Sequence, residues 1–181
     1  EATAAENLLL LGRLEENLAR FHDSLGAYTE AQQHAEKSLH LFEQAEAPAH
    51  AANARALLGY ILLAFGENIV GKTLLEESLK LHRELGNLSG FAYCLAFLGY
   101  HAILRGDFVS PGLWLEEART LSRELEDQYY EAFSLEYLGV LADRQGNHQQ
   151  AYTYFEQAIT LFEKASGFWA PWPRVRIGHA L

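Results

Sequence analysis

Apolar residues recur at spacings of three and four along most of the chain, and short polar links separate the apolar stretches. This spacing places apolar side chains on one face of an α-helix. Residues 48–65 form one such stretch and residues 69–85 a second, with Gly66, Glu67 and Asn68 between them. Because glycine readily takes the positive φ that often ends a helix, the pattern predicts two antiparallel helices joined by a tight turn.

The same pattern returns at a fixed step of 40 residues. Four sets of equivalent positions carry one residue type or a close substitute: Gly26, Gly66, Gly106 and Gly146; Ala19, Gly59, Gly99 and Gly139; Leu18, Leu58, Leu98 and Leu138; and Leu41, Leu81, Leu121 and Leu161. A fixed step is typical of a solenoid, in which each helix pair offers its neighbour the same buried surface. The sequence therefore predicts an all-α protein, a single solenoid domain over residues 1–181, with repeats at residues 4–47, 48–87, 88–127 and 128–167.

Two details of the pattern predict local geometry. Glycines 59, 99 and 139 lie within first helices, where glycine costs about 1 kcal/mol relative to alanine. Their recurrence at one position indicates that the two helices of each pair approach closely. In the third repeat, the Ser-Pro-Gly sequence at residues 110–112 stands where the second helix begins, so we expect this helix to start late or to be distorted.

The last residues of the chain differ from the repeats. Residues 168–173 are rich in tryptophan and proline, and residues 174–181 look like a fifth first helix that is cut short. Because the end of a solenoid needs a cover for its apolar surface, we predict that residues 168–181 form a C-terminal cap. A docking motif in the same residues is the alternative.

Composition excludes some classes of function. The formal net charge is −10, which disfavours nucleic-acid binding by this segment, because lysine and arginine neutralise the phosphates in such complexes. One cysteine, Cys94, excludes a disulfide framework, and no apolar run reaches the roughly 20 residues that a membrane helix needs. These two features predict a cytoplasmic location. The chain also has no methionine and so no start residue, which predicts a segment excised from a larger protein.

Leu98-Gly99 and Leu138-Gly139 recur in first helices, and Ala151, Phe155 and Ala158 mark the second helix of the fourth repeat. At these positions the chain resembles the tetratricopeptide repeat (TPR) family. The resemblance implies a right-handed superhelix whose first helices line a concave groove. The 40-residue step is longer than the usual step of about 34 residues. In this respect the chain is similar to the repeats of bacterial MalT-like and AfsR-like regulators and of Leu-Gly-Asn repeat scaffolds.

The resemblance implies a protein- or peptide-binding module, the sensor or scaffold region of a bacterial signalling or transcriptional regulator, with no enzyme activity and no cofactor. By the family register, the groove is predicted to bind the partner through Arg20, Asn53, Tyr60, Tyr93, Tyr100, Phe133, Glu136, Asp143 and Arg144. Aromatic side chains suit this role because they offer a large contact area at little entropic cost. Packing of individual aromatics against a neighbouring repeat is the alternative.

The remaining candidate chemistry concerns small ligands. Gly66–Thr73 matches the letters of a phosphate-binding P-loop, which would indicate a nucleotide-binding enzyme. A P-loop follows a strand, however, and the segment before Gly66 is predicted to be a helix, so we interpret the match as coincidence. A small-molecule ligand in the groove is a further alternative. The eight histidines lack the spacing of a metal site and are predicted to lie on the surface, and Cys94 is predicted to be a packed thiol.

Overall fold

The computed structural model of the chain describes residues 2–166, with side chains from residue 3 to residue 165. The described residues form eight α-helices and contain no strand, which confirms the all-α prediction. The helices are α1 (Ala2–Ser24), α2 (Tyr28–Gln44), α3 (Pro48–Phe65), α4 (Asn68–Glu84), α5 (Leu88–Leu104), α6 (Pro111–Glu124), α7 (Gln128–Arg144) and α8 (His148–Ser166). The predicted cap at residues 168–181, with its partial fifth helix, lies outside the described residues.

The chain divides into two compact units, which are Glu1–Gly90 and Phe91–Leu181. In the first unit, α1 packs on α2, α2 on α3 and α3 on α4. In the second unit, α6 packs on α7 and α7 on α8, and Gly99 of α5 lies against Leu115 of α6. Helices that follow one another in sequence therefore pack together within each unit. One solenoid domain over residues 1–181 stays a prediction.

The turns between the described helices share one backbone motif. A residue with positive φ follows each helix end: Gly26, Glu46, Gly66, Gly86, Gly106, Glu126 and Gly146. The N–H of the next residue donates to the carbonyl five positions earlier, as from Glu67 to Leu62 at 2.8 Å. This Schellman geometry satisfies carbonyls that a helix end leaves open. The two glutamates adopt φ of 52° and 56°, at a cost of roughly 1–2 kcal/mol each that glycine avoids.

Glycine within the first helix brings the helices of a pair into direct contact. A Cβ built on Gly59 of α3 would lie 2.8 Å from the carbonyl oxygen of Gly71 in α4, and a Cβ on Gly71 would lie 2.6 Å from the carbonyl oxygen of Gly59. In the fourth pair, a Cβ on Gly139 would lie 2.6 Å from the ring of Phe155. The predicted close approach is therefore confirmed, since these positions leave no space for a side chain.

Buried serines add hydrogen bonds between the helices of the first unit. The Ser38 hydroxyl of α2 donates to the carbonyl of Gly12 at 2.9 Å, and the Ser78 hydroxyl of α4 donates to the carbonyl of Ala52 at 2.6 Å. The two pairs occupy equivalent positions in the repeat. Because both serines are fully buried, these bonds supply the partner that a hydroxyl needs away from water.

α6 begins later than the other second helices, as predicted. It starts at Pro111, five residues after Gly106, whereas α2, α4 and α8 each start two residues after the equivalent glycine. The Asp107 carboxylate holds the intervening loop by accepting hydrogen bonds from the N–H groups of Val109 and Ser110 at 3.0 and 3.1 Å. These bonds lower the pKa of Asp107, because they favour its charged form.

Gly59→Ala is expected to destabilise the first unit, because the new Cβ would meet the Gly71 carbonyl, which moves only if α4 shifts. We expect the free energy of unfolding, measured by urea denaturation, to fall by about 1–3 kcal/mol despite the higher helix propensity of alanine. Gly112→Ala is the matched control, since its Cβ would have one neighbour within 4 Å, the Cδ2 of Leu141 at 3.6 Å. An equal loss of stability in both variants would contradict this explanation.

Candidate functional site

The residues predicted to line a groove all lie on first helices. Arg20 lies on α1, Asn53 and Tyr60 on α3, Tyr93 and Tyr100 on α5, and Phe133, Glu136, Asp143 and Arg144 on α7. Tyr93 and Glu136 are buried, with 2% and 4% of their surface exposed, and the other seven are partly or fully exposed. Neither buried side chain is open to a partner in this structure. The Tyr93 ring instead packs against Phe97 and Tyr130. Internal packing of this kind was the alternative to partner binding for the aromatic residues.

In the first unit, four side chains of α1 and α3 form a group that we call the charged cluster: Glu16, Arg20, Asp23 and Tyr60. The Arg20 guanidinium donates to the Glu16 carboxylate at 2.8 Å, one helical turn away. The Tyr60 hydroxyl donates to the Asp23 carboxylate, and the positive charge of Arg20 acts on the same carboxylate. The charged cluster therefore ties α3 to α1 and presents polar groups at the surface of the first unit.

The pKa of Asp23 lies above that of an ordinary aspartate. Burial raises the pKa of its carboxyl group to about 6, and the hydrogen bond from Tyr60 and the charge of Arg20 offset part of the shift. At neutral pH most of the Asp23 carboxyl groups are therefore ionised, and at pH 5 most are protonated. When ionised, the same carboxylate is suited to bind a cationic side chain of a partner.

In the second unit, aromatic side chains of α5, α7 and α8 form one continuous cluster: Tyr93, Phe97, Tyr100, Tyr129, Tyr130, Phe133, Tyr137 and Phe162. Tyr100 stacks on Tyr137 with ring centres 4.4 Å apart, and Phe133 meets Phe162 edge to face at 5.1 Å. Tyr100 and Phe133 remain partly exposed, so they take part both in the packing of the unit and in its surface. Phe97 and Tyr137 were not predicted as members of this cluster. They hold equivalent positions in the repeat, and two aromatic residues at one repeat position were a signal available in the sequence.

The end of α7 carries the charged part of the predicted surface. The Asp143 carboxylate lies 2.9 Å from the Nδ1 of His148 at the start of α8. Arg144 is exposed, whereas Asp143 is partly exposed. This end of α7 therefore carries one acidic and one basic residue at its surface.

The segment Gly66–Thr73 does not form a phosphate-binding loop. α3 precedes it, and its residues from Asn68 onward already belong to α4. Its first glycine is the positive-φ residue of a turn, with φ of 103°, and Gly71 is packed against Gly59. The helix predicted before this segment is confirmed, so the strand-then-loop geometry that a P-loop requires is not met here.

His82 corrects the prediction that the histidines lie on the surface. Its ring is fully buried, and within the part of the chain that the structure describes neither ring nitrogen has a hydrogen-bond partner. This burial lowers the pKa of His82 to about 4. The ring lies over Gly90, where a side chain would collide with it. Phe42 and Phe162 hold equivalent buried positions, and this equivalence was the signal that position 82 is internal.

Three further findings concern ligands and packing. Among the residues that the structure describes, no group of three or more His, Cys, Asp or Glu side chains is placed to hold a metal ion. No described helix combines the length and apolar character needed to cross a membrane. Cys94 is buried, which agrees with its prediction as a packed thiol.

An open groove of about 800 Å³ lies along α7 and α8. Leu135 and Ile159 contribute apolar surface to it, and Glu131, Glu156 and Thr160 contribute polar groups. None of the predicted groove residues lines it. It was not predicted because its lining combines residues from both helices of one pair, whereas the prediction considered first helices alone.

These features define a helical-repeat protein whose first helices carry partly exposed charged and aromatic side chains. Two models described as tetratricopeptide repeat match the sequence, one over residues 16–52 and one over residues 138–164. The first match runs from α1 into α3, and the second runs from α7 into α8. No curated protein matches the chain. The two matches support the TPR family, whose repeats generally mediate protein–protein interaction and typically belong to non-enzymatic scaffolds.

Because His82 is buried as the neutral form, its contribution to stability is expected to fall as the pH drops from about 6.5 to about 4. In this range the unfolded chain protonates His82, whereas the folded chain keeps the ring neutral. His82→Phe, which introduces the residue found at position 42, should remove a pH dependence worth up to about 3 kcal/mol. Urea denaturation of both proteins at several pH values measures the difference. Parallel curves of stability against pH would show that another group titrates.

Asp23 contributes a pH dependence of opposite sign. Its pKa is about 6 in the folded protein against an ordinary value of 3.8, so its contribution to stability is full below pH 3.8 and is lost as the pH rises through 6. Asp23→Asn should therefore favour the folded state more at pH 7 than below pH 3.8. NMR titration should place the Asp23 pKa near 6, and Tyr60→Phe should raise it further, because a bond to the charged form is lost. An unshifted pKa in the unmodified chain would contradict this account.

Proposed function

We propose that the chain is a protein-interaction module that binds a peptide, or a segment of a partner protein, through the first helices of its units. One observation carries this proposal: Arg20, Tyr60, Tyr100 and Val140 occupy equivalent positions of the repeat, and each is partly exposed. Nearby positions on the same helices are buried, as Ala96 is. The four first helices therefore share one repeat position whose side chain is partly exposed.

Internal contacts hold these side chains in place before any partner arrives. Tyr100 stacks on Tyr137, and the Tyr60 hydroxyl is bonded to Asp23. A side chain that is already ordered loses little rotamer freedom on binding, so more of its contact energy appears as affinity. This ordering supports a role for both tyrosines as anchors for the partner.

Charge supports a partner that carries lysine or arginine. The chain has a formal net charge of −10, and the charged cluster contains two carboxylates, Glu16 and Asp23, for one arginine. Opposite charge speeds encounter and disfavours wrong partners. The affinity for such a partner should weaken as the salt concentration rises, because salt screens exposed charges.

The proposed setting is the cytoplasm, in the sensor or scaffold region of a bacterial signalling or transcriptional regulator. The 40-residue step, similar to the repeats of MalT-like and AfsR-like regulators, supports this setting. The negative net charge supports a module that does not itself contact nucleic acid. The proposed mechanism is equilibrium binding without a chemical step.

Selection of binding peptides tests the proposal. A phage-displayed peptide library is selected on the immobilised chain, and fluorescence anisotropy gives the dissociation constants of the selected peptides. We expect Tyr100→Ala to weaken binding about tenfold or more, as truncation of an interface tyrosine does. Trp114→Ala is the matched control, because Trp114 is an aromatic residue, 40% exposed, on a second helix, α6. Circular dichroism of both variants checks that the helices remain folded.

Other outcomes would point to other functions. Peptides that lose affinity for the Trp114 variant and keep it for the Tyr100 variant would contradict the first-helix surface. A melting temperature raised by sugars, with no peptide selected, would favour a small-molecule sensor. ATP binding that Lys72→Ala abolishes would favour a nucleotide-binding enzyme.

A further inference from the structure

Two histidines face each other between α1 and α2. His22 lies in the last turn of α1 and His34 lies in α2, and their rings stack with centres 5.1 Å apart and planes 13° apart. Both side chains are half-buried, so that an ion from the solvent is able to reach them. Together with Glu15 of α1 they form a group that we call the histidine site.

The other repeats do not have histidine at these two positions. The first position holds leucine or alanine elsewhere, and the second holds leucine, tryptophan or tyrosine. Leu62 and Leu74 are the equivalent residues of the second repeat and belong to one apolar cluster, and Ala142 and Tyr154 of the fourth repeat belong to another. A packing contact between two helices is therefore replaced, on both sides, by side chains that bind metal ions.

Glu15 orients one of the two rings. Its carboxylate lies 2.5 Å from the Nδ1 of His34. Because a carboxylate only accepts hydrogen bonds, the proton of the neutral His34 ring lies on Nδ1, and Nε2 keeps the lone pair that binds a metal. A carboxylate in this place is the usual partner of a metal-binding histidine, since it fixes the ring and makes it more basic.

The ligands limit the kind of ion that the histidine site accepts. Imidazole nitrogens suit zinc, copper and nickel, whereas magnesium and calcium take oxygen ligands. Among the described residues no three His, Cys, Asp or Glu side chains are placed to hold an ion, so two imidazole nitrogens are the protein ligands here and water completes the coordination. The histidine site therefore fits a divalent transition metal that exchanges with the solvent.

One ring turns before both nitrogens reach the same ion. The two ring planes are nearly parallel, and a metal ion binds in the plane of an imidazole ring. The torsion about the Cβ–Cγ bond of histidine is broad, so His22 is free to turn while Glu15 holds His34. Since the nitrogens lie on the rims of rings whose centres are 5.1 Å apart, this turn brings both within the zinc–nitrogen distance of about 2.0–2.1 Å from one ion.

We propose that His22 and His34 bind one zinc ion between α1 and α2, with Glu15 as a positioning residue. Only the folded chain brings the two rings together, so the ion stabilises the folded state. The histidine site contains none of the side chains of the charged cluster, and it does not depend on the proposed binding of a partner protein.

Thermal denaturation of the whole chain with zinc chloride tests the histidine site. We expect zinc to raise the melting temperature by about 2–4 °C, and magnesium chloride to change it by less than about 1 °C. His22→Leu and His34→Leu, which introduce the leucines of positions 62 and 74, should each abolish the effect of zinc. His148→Ala is the matched control and should retain it, since His148 also lies beside a carboxylate, 2.9 Å from Asp143, but belongs to the second unit.

The role of Glu15 has its own test. Isothermal titration calorimetry measures the affinity for zinc, and Glu15→Gln should lower it about tenfold or more, because the carboxylate beside His34 is lost. In nitrogen NMR spectra of the unmodified chain, zinc should shift the signal of Nε2 of His34. A glutamine amide both donates and accepts, so it no longer fixes which nitrogen carries the proton, and in Glu15→Gln the signal of Nδ1 should shift as well.

Three results would overturn the proposal. The first is a melting temperature of the unmodified chain that zinc leaves unchanged. The second is an effect of zinc that persists in both leucine variants, with circular dichroism showing that they are folded. The third is an effect that only His148→Ala removes, which would place the ion in the second unit. An affinity for zinc that is the same in Glu15→Gln would refute the positioning role of Glu15.

Discussion

The helix pairs of this protein depend on a contact in which the second helix lies directly on the backbone of the first. At Gly59 the carbonyl of Gly71 takes the space that a side chain would need, and at Gly139 the ring of Phe155 takes it. Because the space of a side chain is already taken, neither helix is free to rotate about its own axis without a clash. The direction in which every other residue of the pair points then follows from its place in the 40-residue repeat.

Position in the repeat therefore decides burial more strongly than residue type does. Positions 42, 82, 122 and 162 are all internal, whether they hold phenylalanine, histidine or serine. At position 82 the internal residue is a neutral histidine. Burial in a site that holds phenylalanine in other repeats lowers the pKa of its ring, because the charged form is disfavoured away from water.

The spacing of apolar residues predicted the helix pairs, and glycine and proline at particular positions predicted the turns, the close approach and the late start of α6, because each depends on residues close together in sequence. The burial of Tyr93 and Glu136 was not predictable in this way, since it depends on distances between side chains of different helices. The pKa of Asp23 has the same origin, because its shift combines burial with a hydroxyl group from α3. His82 differs from these residues. The phenylalanines at the equivalent positions 42 and 162 indicate an internal side chain at position 82.

The turns have a consequence for how the chain folds. Each closes with a hydrogen bond between backbone groups five residues apart, as Asn147 does with Ala142 at 2.8 Å, and needs no side chain from elsewhere. Helices that are neighbours in sequence also pack together within each unit, as α1 does with α2 and α7 with α8. Contacts of such short sequence separation are reached quickly by an unfolded chain, because little loop entropy is lost before they form. Either unit is thus able to begin folding at any of its turns, and no long connection has to close first.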